Sequence, residues 1–181
     1  MEIQTARLCL RPYAIDDLDA LHRLWIDPDV RRYLLDDEVV ARAFVENEIK
    51  ETRALFEKHG FGQFAIRFKD KDALIGFTGY RFFHDPPELQ LLYGIAPAYW
   101  GRGLASEAAR AMIRFGFEAC GFDEIIAAAD PPNKASFRVM EKAGMTFQKC
   151  TVIDELDTIY YASARADFEP DEAFYRLTRA G

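Results

Sequence analysis

Two stretches of the chain carry residue types whose spacing suits chemistry. In "WGRGLASEAAR", Gly101 and Gly103 flank Arg102 and run directly into Leu104, Ala105 and Ser106. Glycines here let the backbone turn tightly with no Cβ in the way, so several successive N–H groups face a single anion. A helix opening at Leu104 adds unpaired first-turn amides and the positive end of its dipole, which together hold a pyrophosphate without a lysine or a metal. Taken alone, the G-x-G favours a plain glycine turn into a helix. The second stretch is "NKASFRVMEKAGM". Asn133 suits an N-cap, Ser136 falls at the third helical position and Gly144 suits the residue after a helix, so capping by itself accounts for all three. Lys134, Arg138 and Lys142 recur every four residues as one basic stripe, either solvated or set beside ligand phosphates. In this order, one helix and one strand apart, the two stretches are far more specific than either alone.

A dinucleotide fingerprint competes for the first stretch, because Gly101, Gly103 and Ser106 approximate G-x-G-x-x-G and Asp123 follows about 20 residues on. The first glycine lies several residues past its strand, however, and an antiparallel meander comes before it. The chain that remains is too short for a doubly wound sheet, and Asp123 precedes its strand where a ribose-binding acid follows one.

The elements that must position these residues are readable from periodicity. Arg7 to Arg11 alternates as a half-buried strand interrupted at Pro12. Asp16 is expected to cap a helix with Leu18, Leu21 and Trp25 on one face, stopped by Asp27-Pro28. A second helix is expected after Asp36 and Asp37, running to His59 with Val45, Ile49, Thr52 and Phe56 at helical spacing. Gln63 to Phe68, Ala73 to Phe83 and Glu88 to Ile95 read as an antiparallel meander joined by short polar loops. Leu104 to Cys120 reads as an amphipathic helix, with Leu104, Ala108, Met112 and Phe115 inward and Glu107, Arg110, Arg114 and Glu118 outward. A strand from Ile125 to Ala129, a helix from Lys134 to Ala143 and two or more further strands complete an α+β plan, taken as one domain over 1–181.

Composition narrows the partners. Half of the 181 residues are apolar, enough for a core, and 30 acidic against 23 basic side chains give a net charge of −7. That balance argues against a nonspecific grip on nucleic acid and favours a cationic or neutral partner. No run of about 18 apolar residues is present and the amino terminus lacks a leader-like stretch, so a cytoplasmic address without membrane contact is expected. Cys9, Cys120 and Cys150 are odd in number and widely spaced, which suggests reduced core residues and neither disulfides nor a metal site. His22, His59 and His84 share no motif and receive no role. Asp36, Asp37 and Glu38 favour a helix amino terminus, with attraction of an ammonium group as the lesser alternative.

The segments "TARLCLRP", "DALIGFTGY", "YGIAPAYWGRGLASEAAR" and "NKASFRVMEKAGM" resemble the GNAT superfamily of N-acetyltransferases, in particular its branch of ribosomal-protein alanine acetyltransferases. The resemblance implies a mixed, mostly antiparallel central sheet with helices on both faces and a splayed parallel pair matching Glu88 to Ile95 and Ile125 to Ala129. It implies acetyl-coenzyme A as co-substrate, with the pantetheine arm on the backbones of Ile95 and Ala96. Its pyrophosphate would lie on Gly101, Arg102, Gly103, Leu104, Ala105 and Ser106. Asn133 would bond the pantetheine region, and Ser136 would approach the thiol and supply the acid. Relatives often place a basic glutamate at the position matching Gln90, and a carboxamide cannot take that proton. The role then passes to Glu88, a water chain or a neighbouring carboxylate, and a backbone N–H near Ile95 is left for the oxyanion. The implied acceptor is an amine, either a protein amino terminus or a small molecule, and the implied assembly is a monomer or homodimer. Two other functions stay open. Gln90 favours a coenzyme A-binding module without turnover, and a dinucleotide-binding protein is the third reading.

Overall fold

The computed structural model describes residues 1–34, 37–84, 86–153 and 156–179. Its strands are β1 (Glu2–Gln4), β2 (Leu8–Pro12), β3 (Gln63–Phe68), β4 (Leu74–Phe83), β5 (Glu88–Ile95), β6 (Glu124–Ala129), β7 (Thr146–Ile153), β8 (Leu156–Ala164) and β9 (Arg176–Thr178). Its helices are α1 (Leu18–Trp25), α2 (Pro28–Arg31), α3 (Arg42–His59), α4 (Leu104–Phe115) and α5 (Lys134–Lys142). The strands join one nine-stranded sheet in the order β7-β8-β6-β5-β4-β3-β2-β1-β9. Every neighbouring pair is antiparallel except β5 and β6, which run parallel.

Side chains alternate across a strand, so a sheet covered on both faces buries consecutive residues in opposite directions. β3 does this. Phe64 and Ile66 pack with Leu104, Ala108, Met112 and Phe115 of α4, whereas Ala65 joins Leu21, Trp25, Val45, Ile49 and Phe77 under α1 and α3. Each large apolar side chain removed from water contributes about 1.5–3 kcal/mol, so α4 is held mainly by its buried stripe. A π-helical turn, Gly116–Cys120, extends α4 to the expected end, and Gly121 closes it in the left-handed region.

Local chemistry moved several expected boundaries. Asp16 does not cap α1; buried Asp17 ends a 3-10 turn, accepts from the Ala14 N–H at 2.9 Å and pairs with Arg67. Pro28 starts α2 instead of merely stopping α1, because Asp27 caps that turn by accepting from the Asp29 N–H and proline suits the first helical position. α3 opens at Arg42, later than expected, and of the acidic cluster Asp36 lies outside the described residues. Strands β1 and β9 were not expected, since three residues are too few to establish a period. Cys9 is buried as expected, but Cys150 is exposed on β7. Among the described residues no helix is long and apolar enough to cross a membrane.

Candidate active site

β5 and β6 meet at a single register pair, Gln90 with Ile126, and then part. Beyond that point β5 remains paired only to β4. Backbone groups of an antiparallel strand alternate in direction, and Ala96 donates to Ile75 O at 2.8 Å, so the N–H groups of Tyr93 and Ile95 turn to the open side. Ala96 is fully engaged, because its carbonyl also accepts from Tyr99 N. The Ile95 carbonyl accepts from the Trp100 indole. Of the two residues expected to present backbone here, Ile95 keeps a free N–H and Ala96 does not, and Tyr93 is the further strand residue facing the gap.

The loop after β5 enters α4 with Gly101 at φ 74° and Gly103 at φ 72°. Only glycine occupies that region without strain, which accounts for both. Gly103 is the N-cap residue of α4 and no side chain caps the helix. Among the described residues, none of the amides of residues 101–106 donates to a protein acceptor. Such a row of unpaired N–H groups at a helix amino terminus matches an anion. The loop is braced from behind. Arg7 Nη1 donates to the Arg102 carbonyl at 2.9 Å, while Glu107 accepts from Thr5 Oγ1 at 2.6 Å, Arg7 N at 2.9 Å and Arg7 Nε at 2.6 Å. Burial raises the Glu107 carboxyl, but the bonds from Thr5 and Arg7 outweigh it and leave its pKa below the usual glutamate value.

On the other side of the gap, Asn133 caps α5 by accepting from Ser136 N at 3.2 Å. Lys134, Arg138 and Lys142 are exposed along α5. Ser136 faces β5, where its Oγ lies 2.8 Å from the Tyr93 hydroxyl. The Tyr93 hydroxyl also donates to the Ser136 carbonyl at 3.1 Å. Burial pushes the Tyr93 phenol well up, so it stays protonated and able to donate. Ser136, Tyr93, Asn133 and Gln90 line one cavity of about 360 Å³, which His84 also borders. At its far end the buried Gln90 donates from Nε2 to Glu88 Oε1 at 2.7 Å and lies 3.3 Å from His84 Nε2. Tyr160 places its hydroxyl 3.4 Å from the same imidazole nitrogen. Glu88 reaches the cavity through Gln90 and does not line it.

A strand pair opening beside an uncapped glycine loop is a fold-level feature, and comparison with known proteins decides which family has it here. The sequence model of the Acetyltransferase (GNAT) domain matches residues 7–146. The chain belongs to the GNAT acetyltransferase family. It is 34% identical over 157 residues to an uncharacterized N-acetyltransferase, YnaD, of Bacillus subtilis, covering 83% of this chain and 88% of that one. It is 28% identical over 144 residues to the spermidine N(1)-acetyltransferase of Escherichia coli K12, covering 77% and 73%. Among solved structures, a GNAT-family acetyltransferase from Bacillus anthracis superposes with a TM-score of 0.78 at 26% identity, covering 92% of this chain and 100% of that one.

The fold sets Asn133 and Ser136 in one cavity with Gln90 and Tyr93, whereas Ile95 and residues 101–106 continue from the same strand β5 without lining that cavity. Sequence reasoning missed four participants. Tyr93 and Tyr160 read only as apolar strand positions, and Glu107 was expected outward although its side chain is 11% exposed. His84 has no motif, yet the β4–β5 turn sets it at the cavity mouth. The one local signal was the Thr5 and Arg7 pair just ahead of β2, whose partner Glu107 stands 100 residues away.

Proposed function

We propose that this N-acetyltransferase takes its acetyl group from acetyl-coenzyme A, with the pyrophosphate on the amides of residues 101–106 and the pantetheine arm in the β5–β6 gap. The observation that carries this is the uncapped α4 amino terminus, with its row of unpaired amides opening beside a separated parallel strand pair. When bound, the co-substrate supplies an acetyl thioester already activated toward a nitrogen nucleophile. The chain's residues do the rest. The Tyr93 and Ile95 N–H groups hold the arm like an added strand, and the Ile95 N–H also suits the developing oxyanion. Asn133 fixes the start of α5 and borders the arm. Ser136, hydrogen-bonded to a protonated Tyr93, relays a proton to the departing sulfur. Gln90 and Glu88 organise the opposite end of the cavity, where an amine nitrogen enters.

The acceptor is a primary amine, on a protein amino terminus or a small molecule. Tyr33, Leu34, Phe83, Ile153 and Leu156 give the cavity an apolar wall for the body that carries it. Much of the rate acceleration comes from placing the two substrates together, which contributes about 7 kcal/mol or more. The test is calorimetry with coenzyme A followed by thiol release against spermidine, aminoglycosides and peptides with free amino termini. Binding with amine-dependent thiol release supports the proposal. Binding with no release above background would make the chain a coenzyme A-binding module, and no binding would remove the donor assignment.

A further inference from the structure

Catalysis needs a group to take a proton from the amine, and neither member of the Gln90–Glu88 pair is placed for it. Gln90 has no basic atom, and the near oxygen of Glu88 already accepts from Gln90 at 2.7 Å, outside the cavity lining. His84 is exposed at the cavity mouth on the turn between β4 and β5. Gln90 directs one N–H of its carboxamide to Glu88 and the other to His84 Nε2, so Nε2 acts as an acceptor. An accepting Nε2 belongs to the tautomer that carries its proton on Nδ1, and the ring borders the cavity. We infer that His84 is the general base of the acetyl transfer, oriented by the Glu88–Gln90 relay and by Tyr160. This rests on the acetyltransferase mechanism proposed above.

Two features favour the role. The contacts to Nε2, 3.3 Å from Gln90 and 3.4 Å from Tyr160, are long, so the lone pair exchanges them readily for an amine proton. His84 also adopts φ 65°, a left-handed conformation that non-glycine residues seldom hold, and its ring reaches Gln90 on β5 and Tyr160 on β8. In the step, the entering ammonium gives one proton to His84 Nε2. The neutral nitrogen forms the new bond to the acetyl carbon while the carbon–sulfur bond breaks. The nitrogen's surplus proton replaces the one that the Ser136–Tyr93 pair delivers to sulfur, and exposed His84 releases its own to solvent. The groups facing the imidazole are Glu88 through Gln90 on β5, Tyr160 on β8 with Lys149 Nζ 4.8 Å over its ring, and Asp130 along the same cavity.

The experiment compares wild type with His84→Gln and His84→Ala. Calorimetry with coenzyme A should give equal affinity in all three, a readout independent of turnover. With whichever amine of the panel is acetylated, His84→Gln should lower kcat by about 10²-fold or more while the KM for acetyl-coenzyme A holds. The acidic limb of the wild-type kcat/KM profile should be absent from the variant, and added imidazole should restore part of the activity of His84→Ala. Wild-type turnover in His84→Gln would overturn the inference, as would lower turnover that keeps the acidic limb and ignores imidazole. Failure of the wild type to bind coenzyme A or to acetylate any amine would instead remove the underlying mechanism, and the inference with it.

Discussion

Replacing Glu107 with glutamine tests how the anion loop is held. The carboxylate sits in the first turn of α4 and accepts three hydrogen bonds, from Thr5 Oγ1, Arg7 N and Arg7 Nε. A hydrogen bond to a charged group contributes about 1.5–3 kcal/mol, and an anion in a first helical turn about 0.3–1 kcal/mol. Arg7 is half-exposed, so its ion pair is screened and counts at the low end. A carboxamide keeps one accepting oxygen and loses the charge, which leaves an expected destabilisation of about 2 kcal/mol. In urea this moves the midpoint down by about 1 M for an ordinary dependence on denaturant. The pH dependence has a definite sign. The folded pKa of Glu107 lies below 4.5, so its contribution is fully present above that value and is lost as pH falls through the lowered one. The gap between wild type and variant therefore narrows on acidification below the ordinary glutamate range. Because Arg7 also holds the Arg102 carbonyl, coenzyme A affinity should fall about tenfold in calorimetry, equivalent to about 1.4 kcal/mol. A variant within about 0.5 kcal/mol of wild type at pH 7, with unchanged coenzyme A affinity, would refute the bracing argument.

Other perturbations follow from the same geometry. Gly103→Ala forces a Cβ into φ 72° and should cost about 1–2 kcal/mol in thermal or urea unfolding, with weaker coenzyme A binding. Ser136→Ala and Tyr93→Phe should each lower kcat with little change in coenzyme A affinity, and the double variant should be no worse than the poorer single one if the pair acts as a unit. Arg81→Met leaves the buried Glu48 without its cation and should destabilise by about 3–5 kcal/mol at pH 7. Burial already raises the Glu48 carboxyl, so the penalty on its charged form is relieved as pH falls through the folded pKa; urea unfolding at pH 5 should show a smaller deficit than at pH 7.

Much of the fold could be read along the chain because it is built from long periodic segments. The β3–β4–β5 meander, the amphipathic stripe of α4 and the cap of α5 all follow from neighbours within a few residues, as do Gly101 and Gly103, whose left-handed backbone a G-x-G turn requires. Short or mixed signals misled. A proline after an aspartate reads as a stop, yet Asp27 and Pro28 begin a new turn, and the three-residue strands β1 and β9 are defined by long-range pairing, β1 between β2 and β9 and β9 against β1.

What the sequence alone determined was the family's scaffold and the glycine loop that opens α4, since local backbone chemistry specifies both. What tertiary structure decided was which side chains meet. Tyr93 reaches Ser136 across 43 positions, Tyr160 comes within 3.4 Å of His84 across 76, and Glu107 closes on Arg7 across 100. No periodicity encodes such contacts, because they depend on where a strand parts from its neighbour and how a helix settles on the sheet. The residues that line this cavity look like ordinary strand and turn positions until packing brings them face to face.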